Sequence, residues 1–338
     1  MSNCKNTVIA REIIHLYLVE TIVTPLRITF SDFWSELDPE NNFFINILRK
    51  IVPVVIDNND PQLVFFSYYG NRHMRFRCPK IFYTGENIRP DFNACDYAIS
   101  FDYPVTERNF RLPLYALYAD VNLLCQPKNS EAIIKSKTRF CNFVVSNPQG
   151  AERNKFFKML SKYKKVDSGG RFMNNIGSPV SDKLAFIKGY KFTIAFENSS
   201  YPGYTTEKIF QPMLENSLPI YWGNKLIGRD FNTKSFINIH DYPDFGSVIE
   251  QIISVDKDDS KYAAYLQEPY FTGNIPNEFV QQDNLIRFFK KVYNALPDLE
   301  PVARNAKSRL MANATFYQRR STEIADYSIR NIRRLLSI

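Results

Sequence analysis

The sequence predicts an α/β protein made of two parallel-sheet domains facing one another across a cleft. Three observations lead to this. Short apolar strands alternate with helix-period segments in both halves of the chain, the pattern of βα units. Several strands run straight into polar residues, which is where parallel sheets present groups to ligands. And 338 residues, 44% of them hydrophobic, are enough to fill two cores rather than one.

In the first half, residues 26–30 read as a strand, 43–51 as a helix, and 63–66 as a buried strand closed by Tyr68-Tyr69-Gly70-Asn71. Residues 80–84 form a strand running into Gly85-Glu86-Asn87, and 97–101 another running into Asp102. A second α/β unit begins at 140–145, followed by Asn147-Pro148 and a helix from near Glu152 that carries Phe156, Phe157 and Leu160. Residues 191–197 alternate Phe192, Ile194 and Phe196 as a strand. Helical spacing then takes over at Ile209, Phe210, Met213 and Leu214, and 219–222 returns as a strand. These elements place an N-terminal domain over 1–130, a C-terminal domain over 131–303 and a basic helical extension over 304–338.

A net charge of +8 favours acidic partners, but its sign does not choose among phosphates, nucleic acid and an anionic membrane. No zinc finger, RNA-binding signature or dense basic stripe interleaved with aromatics is present, so nucleic acid is not an expected partner. Five cysteines without a CxxC pair suggest neither a disulfide framework nor a thiolate zinc site and fit a reducing compartment. The three histidines have no metal-ligand spacing, so no metal site is expected. No uninterrupted apolar run reaches the roughly 18 residues of a spanning helix. Arg11, Glu12, His15 and Glu20 break up the N-terminal apolar residues, leaving no signal peptide and a cytoplasmic expectation. Eight Lys and Arg residues crowd positions 304–334, and Ile329, Ile332, Leu335 and Leu336 share one helical face. Such a helix suits peripheral contact with an anionic membrane; packing on the protein itself is the alternative.

The stretch 190–210 reads as a strand, a polar loop with one glycine, and a helix opening at Thr206. Helix N-termini offer unpaired N–H groups and a positive dipole end, so a phosphate fits there. Lys208 in the first turn is electrostatically misplaced unless an anion offsets it. The alternative is a solvated surface lysine.

Three ordered segments carry a resemblance. They are Tyr83-Thr-Gly-Glu-Asn with Pro90-Asp-Phe-Asn-Ala-Cys-Asp; Val144-Val-Ser-Asn-Pro with Arg153-Asn154; and Phe196-Glu-Asn-Ser, Gly203-Tyr-Thr-Thr-Glu-Lys and Leu218-Pro-Ile-Tyr-Trp-Gly-Asn. Together they resemble the α1,3/4-fucosyltransferases, glycosyltransferase family 10, bacterial type, over residues 26–295.

The resemblance implies the GT-B arrangement, with the acceptor on the N-terminal domain and GDP-fucose on the C-terminal one. It implies an inverting transfer without dependence on a DxD-bound metal and an N-acetyllactosamine-type acceptor giving Lewis-type glycans, with 3- and 4-hydroxyl transfer both open. By the match, Glu86 is the expected general base, its alternative being a turn carboxylate or a partner of Arg89. Arg153 and Lys208 match diphosphate contacts, the alternative for Arg153 being a surface arginine. Glu207 matches the carboxylate that holds the ribose hydroxyls, its alternative being an ordinary favourable charge at a helix N-terminus. Asn198 and Tyr204 match positions that line the donor pocket, the tyrosine being equally a core residue. Glu197 either satisfies loop amides or steadies charge developing on fucose. Two departures stand out: Pro202 in the donor loop, and Thr205 in place of valine, where it is expected as a helix N-cap. Tyr68, Tyr69, Arg72, His73, Arg75 and the loop 107–111 are expected to supply the acceptor site. Another GDP-sugar transferase and a non-catalytic glycan-binding relative are the remaining readings.

Overall fold

The computed structural model describes residues 24–302 together with Ala314. The extension and the membrane contact expected of it lie outside the described residues.

Two wholly parallel sheets form the molecule. The first contains β1 (Leu26–Ser31), β2 (Val54–Ile56), β3 (Leu63–Phe66), β4 (Lys80–Tyr83), β5 (Tyr97–Ser100) and β6 (Asn109–Arg111), in the spatial order β2-β1-β3-β4-β5-β6. The second contains β7 (Arg139–Phe143), β8 (Val166–Ser168), β9 (Tyr190–Phe196), β10 (Leu218–Trp222) and β11 (Ile237–Asn238), in the order β11-β10-β9-β7-β8. Every strand pair is parallel, so all C-terminal strand ends of a sheet lie along one edge. Both faces of such a sheet are covered, and β3, β4, β5 and β9 are accordingly buried at every position. Rossmann-like domains of this kind, set against each other, are the GT-B arrangement.

Helix α1 (Phe43–Leu48) covers the first sheet, with Asn42 as its N-cap accepting from the Phe44 and Ile45 amides. Helices α2 (Ser130–Ser136), α3 (Ala151–Leu160), α4 (Lys183–Lys188), α5 (Glu207–Leu214), α6 (Phe245–Asp256) and α7 (Asp259–Gln267) follow along the second half. Phe156, Phe157 and Leu160 of α3 pack with Phe143 and Phe196 in the second core.

Helix α8 (Gln282–Ala295) returns to the first domain, where Leu285, Phe288, Phe289 and Val292 join the core of β1, β3 and α1. Its apolar residues recur at helical spacing on one face, and the open face of the first sheet beside α1 is where that face finds partners, with Phe289 packing edge-on to Phe65. The segment 115–124 crosses the other way. Tyr115, Val121 and Leu124 pack with Phe210, Met213 and Tyr221 of the second domain. The domains are therefore joined by an exchange of packing elements as well as by the chain.

Candidate functional site

In the second sheet the strand order reverses between β7 and β9, and the loops leaving these two strands diverge. A switch point of this kind opens a crevice at the carboxyl ends of the strands. Arg153 enters from the β7 side on α3, and residues 197–208 enter from the β9 side.

Thr206, not Thr205, is the N-cap of α5: its hydroxyl accepts from the Lys208 amide. The anion already at this helix end is Glu197, whose side chain is fully buried. Its Oε1 accepts from the Thr206 amide at 2.7 Å, and its Oε2 accepts from the Thr206 hydroxyl at 2.7 Å and from Lys208 Nζ at 3.3 Å. The charge expected to offset Lys208 is thus supplied by the protein. Glu197 lies under the cradle formed by residues 197–208, satisfying the loop amide and hydroxyl of Thr206. Burial raises the Glu197 carboxyl, a shift that Lys208 only partly offsets. Burial alone would lower the Lys208 ammonium, but Glu197 and Glu207 outweigh it and hold it above the ordinary lysine value. The Lys208 side chain is 19% exposed, so it carries a full charge at the rim of the crevice. Glu207 lies 3.7 Å from Lys208 Nζ; Lys208 and Lys183 overcome burial and keep its carboxyl ionised below the usual range.

Arg153 is not a surface arginine. It is 1% exposed, and its guanidinium donates to Asn198 Oδ1 at 3.0 Å, to Asn147 O at 2.7 Å and to Gln149 O. Its Nε is buried without a hydrogen-bond partner among the described residues. Three of its five N–H groups are so engaged, which leaves the Nε–H for another acceptor. Asn198 is exposed and already oriented by the arginine. Tyr204 is 2% exposed, its ring edge-on to Phe101 of the first domain at 5.3 Å, which places it at the seam between the domains. Gly203 before it has φ +86°, and a Cβ there would come within 2.6 Å of Phe101 O, which makes glycine the residue that lets this loop approach the first domain.

In the first sheet the reversal falls between β1 and β3, and the ends of β1, β3 and β4 border a cavity of about 440 Å³. Trp34, Tyr68, Tyr69, Tyr83 and Tyr118 line it, with Glu86 at its edge. Glu86 is exposed at the end of β4, its amide bonded to Thr84 Oγ1. Its Oε2 lies 3.5 Å from the Tyr204 hydroxyl, and the neighbouring Asn87 donates to Ser199 Oγ at 2.8 Å. The alternative partner of Glu86, Arg89, pairs with Asp102.

Much of the expected acceptor set lies elsewhere. His73 is buried and bonded to Asp32 Oδ2 at 2.6 Å while stacked on Phe66; Arg75 donates to Asn58 O; Glu107 pairs with Lys291. Arg111 is 1% exposed in an ion pair with Asp230. These positions look acceptor-like in sequence because polar residues cluster there, but their partners are distant along the chain.

Three residues were missed. Tyr118, half exposed, lines the cavity and lies within the fields of Glu207, Lys208, Glu86 and Glu197; burial first and then Glu207 push its hydroxyl up to about 12. Trp34 lines the same cavity. Lys183 opens α4, which packs on α5 beside Glu207, and burial lowers its ammonium. Only Trp34 carried a sequence signal, as one of two tryptophans in the chain. Among the described residues no group of three or more His, Cys, Asp or Glu side chains is placed to hold a metal ion, and no helix is long and apolar enough to cross a membrane.

Comparison with known proteins agrees with this geometry. Residues 28–118 match the alpha-(1,3)-fucosyltransferase FucT N-terminal domain, and 134–273 match the glycosyltransferase family 10 (fucosyltransferase) C-terminal region. The alpha-(1,3)-fucosyltransferase FucT of Helicobacter pylori is 31% identical over 79% of this chain and 66% of its own length. A 3-galactosyl-N-acetylglucosaminide 4-alpha-L-fucosyltransferase of Bos taurus is 31% identical over 42% of this chain and 38% of its own. The chain thus spans just under two thirds of the bacterial relative and much less of the mammalian one. A crystal structure of an alpha1,3-fucosyltransferase with GDP-fucose superposes with a TM-score of 0.67 at 28% identity, covering 83% of this chain and 91% of the other. The two family regions fall on the two sheets, and the cradle at Glu197–Lys208 and the carboxylate at Glu86 fall within them; the chain belongs to glycosyltransferase family 10, the fucosyltransferases.

Proposed function

We propose that this protein transfers L-fucose from GDP-fucose to the 3-hydroxyl of N-acetylglucosamine in a galactose-containing acceptor, by a single displacement with inversion. The observation that carries the reading is the position of Glu86, at the edge of an aromatic cavity and 3.5 Å from the tyrosine of the β9–α5 loop. An acceptor seated on the aromatic walls and a donor seated on the cradle would meet at this one carboxylate. Aromatic faces suit the apolar faces of pyranoses, and a carboxylate at a strand end suits a base that takes one hydroxyl proton.

In this reading Glu86 removes the proton as the acceptor oxygen bonds to the anomeric carbon. The bond from that carbon to the diphosphate oxygen breaks, and its electron pair leaves with GDP. Lys208, held charged by Glu197 and Glu207, faces the negative charge that grows on the leaving group. Asn198, fixed by Arg153, offers a hydrogen bond beside it. Glu207 and Lys183 border the same crevice, where a carboxylate can accept from ribose hydroxyls. These side-chain cations supply the charge the reaction needs, so the reading includes no metal. The 3-hydroxyl is taken as the acceptor atom because the relative that matches 79% of this chain is an alpha-(1,3)-fucosyltransferase.

The test is incubation of the purified protein with GDP-fucose and N-acetyllactosamine, GDP-mannose competing, with NMR of the product. An α-fucosyl group on the 3-oxygen supports every part of the reading. A β-linked product would refute inversion, and mannosyl transfer would refute the donor.

A further inference from the structure

Arg111 ends β6 in the first domain, yet its guanidinium reaches into the second. Nη1 donates to Asp230 Oδ1 at 2.7 Å, Nη2 to Asp230 Oδ2 at 2.9 Å and to Gly203 O at 3.0 Å, and Nε to Phe101 O at 3.0 Å. Both side chains of the pair are fully buried. The guanidinium carbon lies 4.4 Å from the ring centre of Tyr103 and 4.7 Å from that of Phe279. Asp230 Oδ2 also accepts from the Thr205 hydroxyl at 2.7 Å and from Asn224 Nδ2 at 3.3 Å, and Asn224 Oδ1 accepts from the Gly203 amide at 2.9 Å. The β9–α5 loop is therefore held at Gly203 and again at Thr205, immediately on either side of Tyr204.

A buried ion pair adds little net stability over a well-packed apolar pair of similar volume, because desolvation cancels much of the attraction. What an apolar pair cannot do is grip a carbonyl and a hydroxyl of one loop in fixed directions. The ion pair can: the planar fork of Arg111 offers five donors and here directs four bonds at three acceptor groups, the Gly203 carbonyl among them, while Asp230 accepts from the Thr205 hydroxyl. The chain continues from Arg111 through Pro113 to Leu114, Leu117 and Tyr118, which line the aromatic cavity. One short segment thus touches the donor loop at one end and the acceptor cavity at the other. Thr205, the departure from the usual valine, adds a bond to this arrangement.

We propose that Arg111 and Asp230 are positioning residues that set the GDP-fucose loop, 203–208, from the acceptor domain. The proposal rests on the reading of that loop as the donor site.

The test uses three variants of the full chain: Arg111→Lys, which keeps the charge but loses the fork; Arg111→Met with Asp230→Leu, which replaces the pair by an apolar one; and Thr205→Val, which leaves the pair intact. GDP affinity is measured by calorimetry, thermal unfolding is recorded, and amide hydrogen exchange is followed over 203–208. We expect Arg111→Lys to bind GDP about tenfold more weakly, with KM for GDP-fucose rising more than kcat falls, and the 203–208 amides to exchange faster. The double variant should lose GDP affinity and some thermal stability, because the bonds to Phe101 O, Gly203 O and the Thr205 hydroxyl go with the pair, and Thr205→Val should lose GDP affinity at smaller size with little change of midpoint. Wild-type GDP affinity and wild-type exchange in folded variants would overturn the proposal, whatever the midpoints do. If the lysine variant does not fold, Thr205→Val decides by the same two readouts. A wild-type protein that binds no GDP would remove the donor reading, while unchanged loop exchange would remove the positioning claim separately.

Discussion

The Tyr204 hydroxyl of the second domain lies 3.5 Å from Oε2 of Glu86 in the first. Burial and the surrounding carboxylates raise the tyrosine pKa, so at neutral pH it is a donor. The separation is at the outer limit of a hydrogen bond, which leaves the carboxylate oriented but able to take a substrate proton. Tyr204→Phe should keep the packing on Phe101 and lose only this donor. Turnover should fall roughly tenfold, with unfolding shifted by no more than about 1 kcal/mol. Steady-state kinetics and denaturant titration of the same preparation check both halves.

Lys208 and Glu197 form a unit whose members fail differently. Lys208→Met leaves Glu197 buried without its counter-charge and should cost about 2–3 kcal/mol, less than for a sealed pair because Lys208 reaches solvent. Adding Glu197→Gln, which can still accept from the Thr206 amide, should recover most of that stability but none of the lost GDP affinity. Lys208 stabilises the fold fully below the ordinary lysine value of 10.5, and this contribution is lost as pH rises through its raised folded value. Unfolding midpoints and calorimetric GDP titrations of the single and double variants separate the two roles.

His73 gives the first domain an acid-side sensitivity. Burial lowers its pKa below 6.5, although Asp32 acts to raise it and Lys80 lowers it further. The unfolded chain then takes up the proton before the native one does. The stability in question is present above about pH 6.5 and is lost as pH falls toward the lowered native value. Asp32, held below the ordinary value of 3.8, loses its own contribution only at still lower pH. The wild type should lose more urea resistance between about pH 7.5 and about pH 5.5 than His73→Gln does. Equal losses would contradict this.

Tyr118 and Trp34 should act on the acceptor alone. Tyr118→Phe removes a half-exposed hydroxyl with no role in the core, and Trp34→Ala removes one wall of the cavity. Each should raise the acceptor KM, by roughly tenfold for the tryptophan, while leaving GDP affinity at the wild-type value. A change in GDP affinity instead would place these residues in the donor crevice.

The parts legible in the sequence were those with a local signature. β9 announced itself by the alternation of Phe192, Ile194 and Phe196 and α5 by its helical spacing, whereas Glu86 was reached through the resemblance of its Gly-Glu-Asn segment to the fucosyltransferases. Three-residue strands such as Val54–Ile56, Asn109–Arg111 and Val166–Ser168 are too short to show a period. The return of α8 to the first sheet could not be read, because its apolar face fits either core equally well by spacing. Arg111 looked like a surface loop residue because its partner is 119 positions away. Glu197 was open to two readings for a similar reason: whether a strand-end carboxylate faces a ligand or satisfies loop amides depends on how the loop folds back.

The central claim is that Glu86 is the base between an acceptor cavity and a GDP-fucose cradle. It is tested most directly by comparing fucosyl transfer to N-acetyllactosamine by wild type and Glu86→Gln, with GDP affinity measured alongside. The account predicts transfer by wild type, a fall of about a hundredfold or more in kcat for the variant, and unchanged GDP affinity. A Glu86→Gln protein that turns over at the wild-type rate would contradict it.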